Sequence, residues 1–307
     1  AEEPPTIKEL EATLTNPKCP IGKRMDAVFY LKYHGGEEAI KSLSKGLVSD
    51  SVLLNHEICY VMGQMQDPKA LPILNKVLDD EKEHAVVRHE AAEALGAIGL
   101  EESLERLEKH ATSKVTEIAE TCVLAIDTIK FKLAEKKRKE KINNSEAKKK
   151  EDNEKKKYLS VDPAPPSRNK ATTEQLTQTL TNTSKSLFER YRAMFALRDM
   201  GTKEAVEGLA KAFDDKSPVV RHEIAYVMGQ MRNPQSIPHL RKVLENNSEH
   251  AMVRHEAAEA LGSISTAEAV GILEGYKNDK QRIVSESCKV ALDIADDWTD
   301  SPNAGTD

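Results

Sequence analysis

The chain is written twice. The segment His56-Glu57-Ile58-Cys59-Tyr60-Val61-Met62-Gly63-Gln64-Met65 returns 166 residues later as His222-Glu223-Ile224-Ala225-Tyr226-Val227-Met228-Gly229-Gln230-Met231. Residues 83–98 return as 249–264 at the same offset, changed only at Val86/Met252 and Ala97/Ser263. Elsewhere the match weakens but keeps phase, as at Phe29/Phe195, Gly35/Gly201 and Cys122/Cys288. A tandem duplication outranks every local signal, because both halves must share one architecture.

Each half repeats again. His56-Glu57 precedes His89-Glu90 by 33 residues, and His222-Glu223 precedes His255-Glu256 by 33. That length is one pair of helices with its turns. Apolar residues fall three and four apart, as in Ala91, Ala94, Leu95 and Ile98, or Leu71, Leu74 and Leu78, while strand-like alternation is absent. Pro68, Pro72, Pro234 and Pro238 stand where helices should begin, since a missing N–H costs nothing in the first turn. Ala, Leu, Glu and Lys dominate and aromatics make up 4%, a helix-forming mixture. The pattern resembles the HEAT-like repeat family. It implies an all-α fold: a HEAT-repeat α-solenoid of two pseudo-symmetric halves, four helical hairpins each, facing across a shared site.

The expected organisation is an N-terminal half at 1–131, a charged flexible linker at 132–170, a C-terminal half at 171–298 and a disordered tail at 299–307. Residues 131–157 hold twelve Lys/Arg against six Asp/Glu, so the rest of the chain carries about −12. A helix can extend into this stretch for a few turns, with disorder expected beyond about Ile142. Ser160-Val161-Asp162-Pro163-Ala164-Pro165-Pro166 should be extended, because proline biases its predecessor away from helix. An acidic body favours a cationic partner over nucleic acid. No apolar run approaches the ~20 residues that cross a bilayer, and the first twenty residues lack a secretory signal. Cys19, Cys59, Cys122 and Cys288 are scattered without a C-x-x-C, as expected of free thiols in the cytoplasm.

The chemistry lies in four His-Glu pairs: His56-Glu57, His89-Glu90, His222-Glu223 and His255-Glu256. One such pair on a helix is ordinarily just part of a solvated face. Four in the same phase of the inner repeats are different, since the outer repeats have drifted to Met25-Asp26, Tyr191-Arg192, Glu120-Thr121 and Glu286-Ser287. Adjacent helical residues point about 100° apart, so at least one of each pair should line the open concave surface. Imidazole plus carboxylate without thiolate suits Fe, Mn or Zn, and two His with one carboxylate suits a non-haem iron that binds dioxygen. Glu93 and Glu259, one turn beyond His89 and His255, are candidates to orient those imidazoles, or else plain surface glutamates. Arg88, Arg221 and Arg254 are read as partners of neighbouring carboxylates, His84 and His250 as loop residues, and the Met-Gly steps as points of close helix packing.

The blocks HEI-x-YVMGQM and VRHEAAEALG, their repetition in both halves, and the joint Ser-Val-Asp-Pro-Ala-Pro-Pro resemble the deoxyhypusine hydroxylases. The resemblance spans nearly the whole chain except the Lys/Glu insert. It implies a di-iron monooxygenase, with two Fe per chain and O2 as co-substrate, that hydroxylates the deoxyhypusine side chain of translation factor 5A and so completes hypusine. Carried over, His56, His89 and Glu90 would hold one iron, and His222, His255 and Glu256 the other. Glu57 and Glu223 would be further ligands, or catalytic-site acceptors for the substrate's ammonium groups. A monomer is expected. The competing reading is a non-enzymatic HEAT-repeat scaffold that binds a protein on its concave face, and the same ligands would also suit a zinc hydrolase.

Overall fold

A computed structural model describes residues 4–144, 157–168 and 170–299. The described residues form sixteen α-helices with four short 3-10 turns and no strand. In the first half these are α1 (Ile7–Thr15), α2 (Ile21–His34), α3 (Gly36–Gly46), α4 (Val52–Met65), α5 (Leu71–Asp79), α6 (Ala85–Ile98), α7 (Leu104–His110) and α8 (Thr116–Asn144). In the second half come α9 (Thr173–Thr181), α10 (Leu187–Met200), α11 (Lys203–Ala210), α12 (Pro218–Met231), α13 (Ile237–Glu245), α14 (Ala251–Ile264), α15 (Ala267–Tyr276) and α16 (Arg282–Thr299). Four hairpins per half, as the repeat predicts, place the even-numbered helices inside and the odd-numbered ones outside.

Local chemistry starts and stops these elements where the sequence directs. Thr6 with Glu9, Thr172 with Gln175 and Ser186 with Glu189 close capping boxes, each satisfying two orphan amides of a first turn. His84 and His250 are caps rather than plain loop residues. Their Nδ1 atoms accept from the amides of Val86 and Met252 at 3.2 and 3.3 Å. A recurring staple locks the hairpins: Arg24, Arg88, Arg190 and Arg254 each donate Nε to the carbonyl ten residues earlier, at 2.8–2.9 Å. Arg254 also meets Asp279, and Arg221 meets Glu249, both at 2.6 Å, the carboxylate partners expected of them.

Close helix approach comes from the Met-Gly steps. A Cβ on Gly63 would lie 2.7 Å from Ala94 Cα, and one on Gly229 would lie 2.9 Å from Ala260 Cα. Glycine there lets α4 meet α6, and α12 meet α14, almost backbone to backbone. Consecutive inner helices pack on one another all the way round. In addition α8 packs on α10 and α12, and α16 packs on α2 and α4. The inner helices therefore form a closed ring.

Two features mark the stretch 132–170. Helix α8 runs on to Asn144, its Lys/Glu-rich sequence supporting it through pairs such as Arg138–Glu135. Residues 158–168 are extended but bound to the body rather than loose. Val161 exchanges hydrogen bonds with Gln64, Asp162 forms a half-buried bidentate pair with Arg198, and Ala164 is fully buried. The carbonyls of Pro163 and Pro165 accept from Thr128 and Arg192. The core of the expected disordered stretch, 145–156, and the tail beyond 299 lie outside the described residues.

Candidate metal centre

Each His-Glu pair sits mid-way along its inner helix, α4, α6, α12 or α14. All eight residues are buried, none more than 6% exposed. This corrects the expectation that one member of each pair lines an open surface. The concave faces of the two halves close over each other, so the side of the helix that would meet solvent in an open solenoid meets the other half.

The four imidazoles gather at the centre of the ring. Centroid separations are 6.2 Å for His56–His89 and 5.5 Å for His222–His255 within the halves, and 5.1 Å for His56–His255 and 5.4 Å for His89–His222 between them. Ligand atoms of His56, His89 and Glu90 lie within 4.8 Å of one another, as do those of His56, His222 and His255, and of His255, Glu256 and Glu259. The structure thus brings the four histidines, Glu90, Glu256 and Glu259 together, while Glu57 meets the Nδ1 side of His56.

The donor atoms are unspent. Nε2 of His56, His89, His222 and His255 is buried without a hydrogen-bond partner in every case. Glu90 Oε2 lies 3.1 Å from His56 Nε2, and Glu256 Oε2 3.3 Å from His222 Nε2, near in distance but not aligned as hydrogen bonds. A buried polar atom left unpaired costs about 1–3 kcal/mol, so four of them facing one point need a common partner. A divalent cation fits that need.

Electrostatics agree. Burial, reinforced by the neighbouring imidazoles, holds His89 and His255 well below the usual histidine range and His222 at about 4. The shift favours the neutral ring, the form that binds metals. For His56, burial is outweighed by the nearby Glu90 and Glu57 carboxylates, and its pKa rises. Burial, then mutual repulsion, raises Glu57, Glu223 and Glu256. Carboxylates pushed toward neutrality beside neutral imidazoles are short of positive charge, and a metal supplies it.

The other ring nitrogen is secured differently at each position. His56 Nδ1 meets Glu57 Oε1 at 3.0 Å, while His222 Nδ1 has no partner and Glu223 Oε1 is likewise buried and unpaired. His255 Nδ1 lies 3.2 Å from Glu259 Oε1, which in turn accepts from Ser287. Of the two readings open for Glu259, orienting partner or surface glutamate, this contact favours the first. Glu93 does not repeat it; His89 Nδ1 instead meets the Thr121 hydroxyl at 2.8 Å.

Thr121 and Ser287 were missed by sequence reasoning, along with the residues before them. Ser51 Oγ donates to Glu286 at 2.6 Å, and Ser217 Oγ donates to Glu120. These two bonds are related by the 166-residue offset, and each joins one half to the other. The only available signal was the in-phase position of Glu120-Thr121 and Glu286-Ser287 beside the His-Glu pairs. Tyr60 and Tyr226, also offset copies, touch hydroxyl to hydroxyl at 3.0 Å across the same divide.

Known proteins agree with this geometry. Residues 40–127, 173–250 and 214–293 match the HEAT repeat model. Deoxyhypusine hydroxylase of Danio rerio is 47% identical over 288 residues, covering 94% of this chain and 91% of the relative. That of Candida albicans is 46% identical over 303 residues, with 94% and 92% covered. The solved structure of human deoxyhypusine hydroxylase superposes with a TM-score of 0.86 at 41% identity, covering 95% of this chain and 96% of that one. With a duplicated ring of HEAT hairpins, four buried imidazoles aimed at one centre, and such relatives along nearly its whole length, the chain belongs to the deoxyhypusine hydroxylase family.

Proposed function

We propose that this chain is a deoxyhypusine monooxygenase that hydroxylates the deoxyhypusine side chain of translation factor 5A with two irons and dioxygen. The observation that carries the reading is the set of four buried, unpartnered imidazole Nε2 atoms around one centre. His56, His89 and Glu90 would hold one iron, and His222, His255 and Glu256 the other. Bound iron supplies what no side chain can: activation of dioxygen for insertion into an unactivated C–H bond.

The chain's own residues bind, orient and shield. Deoxyhypusine is a long polyamine, and Glu57 and Glu223 are the carboxylates beside the metal positions that can receive its ammonium groups. Glu223 is the better prepared, because its Oε1 is buried with no partner, whereas Glu57 also steadies His56. The bonded Tyr60 and Tyr226 hydroxyls sit one turn from these carboxylates and, with the closed ring, limit access of water. Holding a flexible side chain in one pose next to the oxidant accounts for much of the rate such a site can offer.

The closed ring completes the centre within one chain, which supports a monomer. Three of the four free cysteines are buried, which supports a reducing cytoplasm. No described helix is long and apolar enough to cross a membrane.

The test is to load purified chain with ferrous iron, count metal, and add translation factor 5A bearing deoxyhypusine. About two irons per chain, and gain of one oxygen atom on the factor by intact mass, support the reading. Stoichiometric iron without oxygen transfer, or no metal uptake at all, would sink it.

A further inference from the structure

The 166-residue offset makes Glu93 the counterpart of Glu259, and Glu223 the counterpart of Glu57. Electrostatics tie each of them to the other half. After burial, the Glu259 carboxylate does most to raise Glu57, and the Glu93 carboxylate does most to raise Glu223. Two sets of carboxylates therefore flank the centre on opposite sides of the pseudo-two-fold: Glu57 with Glu259, and Glu223 with Glu93. In each set one member lies deep and the other reaches toward solvent. Glu57 and Glu223 are buried, whereas Glu93 and Glu259 are partly exposed.

The two sides are not equally engaged. Glu57 Oε1 meets His56 Nδ1 at 3.0 Å, and Glu259 Oε1 meets His255 Nδ1 at 3.2 Å while accepting from Ser287 at 3.0 Å. Lys32 adds a cation on that side. The Glu57 carboxylate acts on it, although burial wins and lowers the lysine's pKa. On the opposite side Glu93 Oε2 and Glu223 Oε1 are both buried with no partner. The groups that could serve them are engaged elsewhere. Thr121 occupies His89 Nδ1 at 2.8 Å, and Tyr191 donates its hydroxyl to the Val219 carbonyl at 3.1 Å. Arg198, the counterpart of Lys32, is gripped by both oxygens of Asp162, and Asp162 adds its repulsion to Glu93 and Glu223. A buried charged group left without a partner costs more than a neutral one, so these two oxygens call for a cation.

We propose that Glu93 is a substrate-binding residue that acts with Glu223, the two carboxylates receiving successive ammonium groups of the polyamine side chain on this one side of the centre. Glu223 takes the deeper ammonium and Glu93 the outer one. Hydrogen bonds between ionised partners are roughly twice as strong as neutral ones, so two of them along a flexible chain fix its direction as well as its depth. The Glu57–Glu259 side, already spent on His56 and His255, serves the metal positions instead. The inference rests on the reading that the substrate is a polyamine side chain, and it names the residue that reads its second charge.

Glu93→Gln keeps the shape and removes the charge. In full-length, iron-loaded chain, KM for translation factor 5A bearing deoxyhypusine should rise about tenfold, equivalent to about 1.4 kcal/mol. Iron content and kcat should stay within about twofold. Glu259→Gln should do the reverse, lowering iron content while leaving KM within about twofold. Calorimetry with two small probes reads the same site without turnover. The diamine putrescine should bind the iron-loaded chain about tenfold more tightly than the monoamine butylamine, and Glu93→Gln should abolish that preference while Glu259→Gln keeps it. An unchanged KM in Glu93→Gln, or putrescine bound no better than butylamine by the unaltered chain, would overturn the proposal. Loss of iron from Glu93→Gln would also overturn it, by assigning the residue to the metal centre. A preference for putrescine that depends on Glu93, in a chain that transfers no oxygen to the factor, would uphold this site while the functional reading fails.

Discussion

His89 and His255 descend from one ancestral residue, yet their Nδ1 atoms rest on different chemistry: a neutral hydroxyl from Thr121 for one, the Glu259 carboxylate for the other. Such partners fix the tautomer that leaves Nε2 free for a metal, and losing one typically costs 10–100-fold in affinity. Thr121→Val keeps the shape and removes the bond. Cobalt(II) titration followed by absorption should then show one of two positions weakened by about tenfold or more, while Thr121→Ser restores it. Equal affinity at both positions in Thr121→Val would make the contact incidental. His89→Ala should remove a ligand outright, and full iron occupancy in that variant would strike His89 from the set. The histidines were legible in the sequence because four copies in one phase stand out against drifting outer repeats. Thr121, Glu120, Ser287 and Glu286 were not, since such residues are ordinary anywhere on a helix and their partners lie on other helices.

At the scale of elements, what positions the centre is the closeness of neighbouring inner helices. Ala260 Cα leaves no room for a Cβ on Gly229, and the obstacle is backbone, which cannot rotate away. Gly229→Ala must push α12 from α14, at a cost of about 1–3 kcal/mol. Because α12 carries His222 and Glu223, a thermal melt should show the lost stability and metal analysis a loss of bound iron. A drop in stability with full metal would mean that the helices part without moving the ligands. The helices themselves could be read from apolar spacing, proline starts and capping residues. The bound state of 158–168 could not. An extended segment has no period, and its anchors, Gln64, Arg198 and Thr128, are scattered over three helices.

The described residues form a ring whose two halves meet through polar contacts that include Ser51–Glu286, Ser217–Glu120, Asp50–Arg282, Glu117–His250 and Tyr60–Tyr226. The duplication implied that the halves face each other, but ring closure depends on contacts between residues far apart in the chain, which periodicity does not encode. Metals held where the two halves meet add to the stability of the folded ring, since any ligand that binds only the folded form stabilises it by mass action. Chelation should therefore lower the melting temperature of the loaded chain, and His222→Ala, which spoils one of the two metal positions, should shrink that difference. The Glu117–His250 contact offers a separate handle through pH. His250 lies 2.6 Å from Glu117 and holds its carboxyl below the usual value of 4.5, with burial opposing. A carboxylate whose pKa is lowered on folding stabilises the folded state above its unfolded pKa, and that contribution is lost as pH falls through the lowered value. His250 is partly exposed, so the contact is worth no more than about 1 kcal/mol, or about 2 °C in a chain of this size. In metal-free protein, Glu117→Gln should melt earlier than the unaltered chain at pH 6, and the gap should close only as the pH falls through the lowered Glu117 value, where position 117 becomes neutral in both. A gap that persists unchanged into acid would show that the glutamate acts by shape, not charge, and would remove this pair from the forces that keep the ring shut.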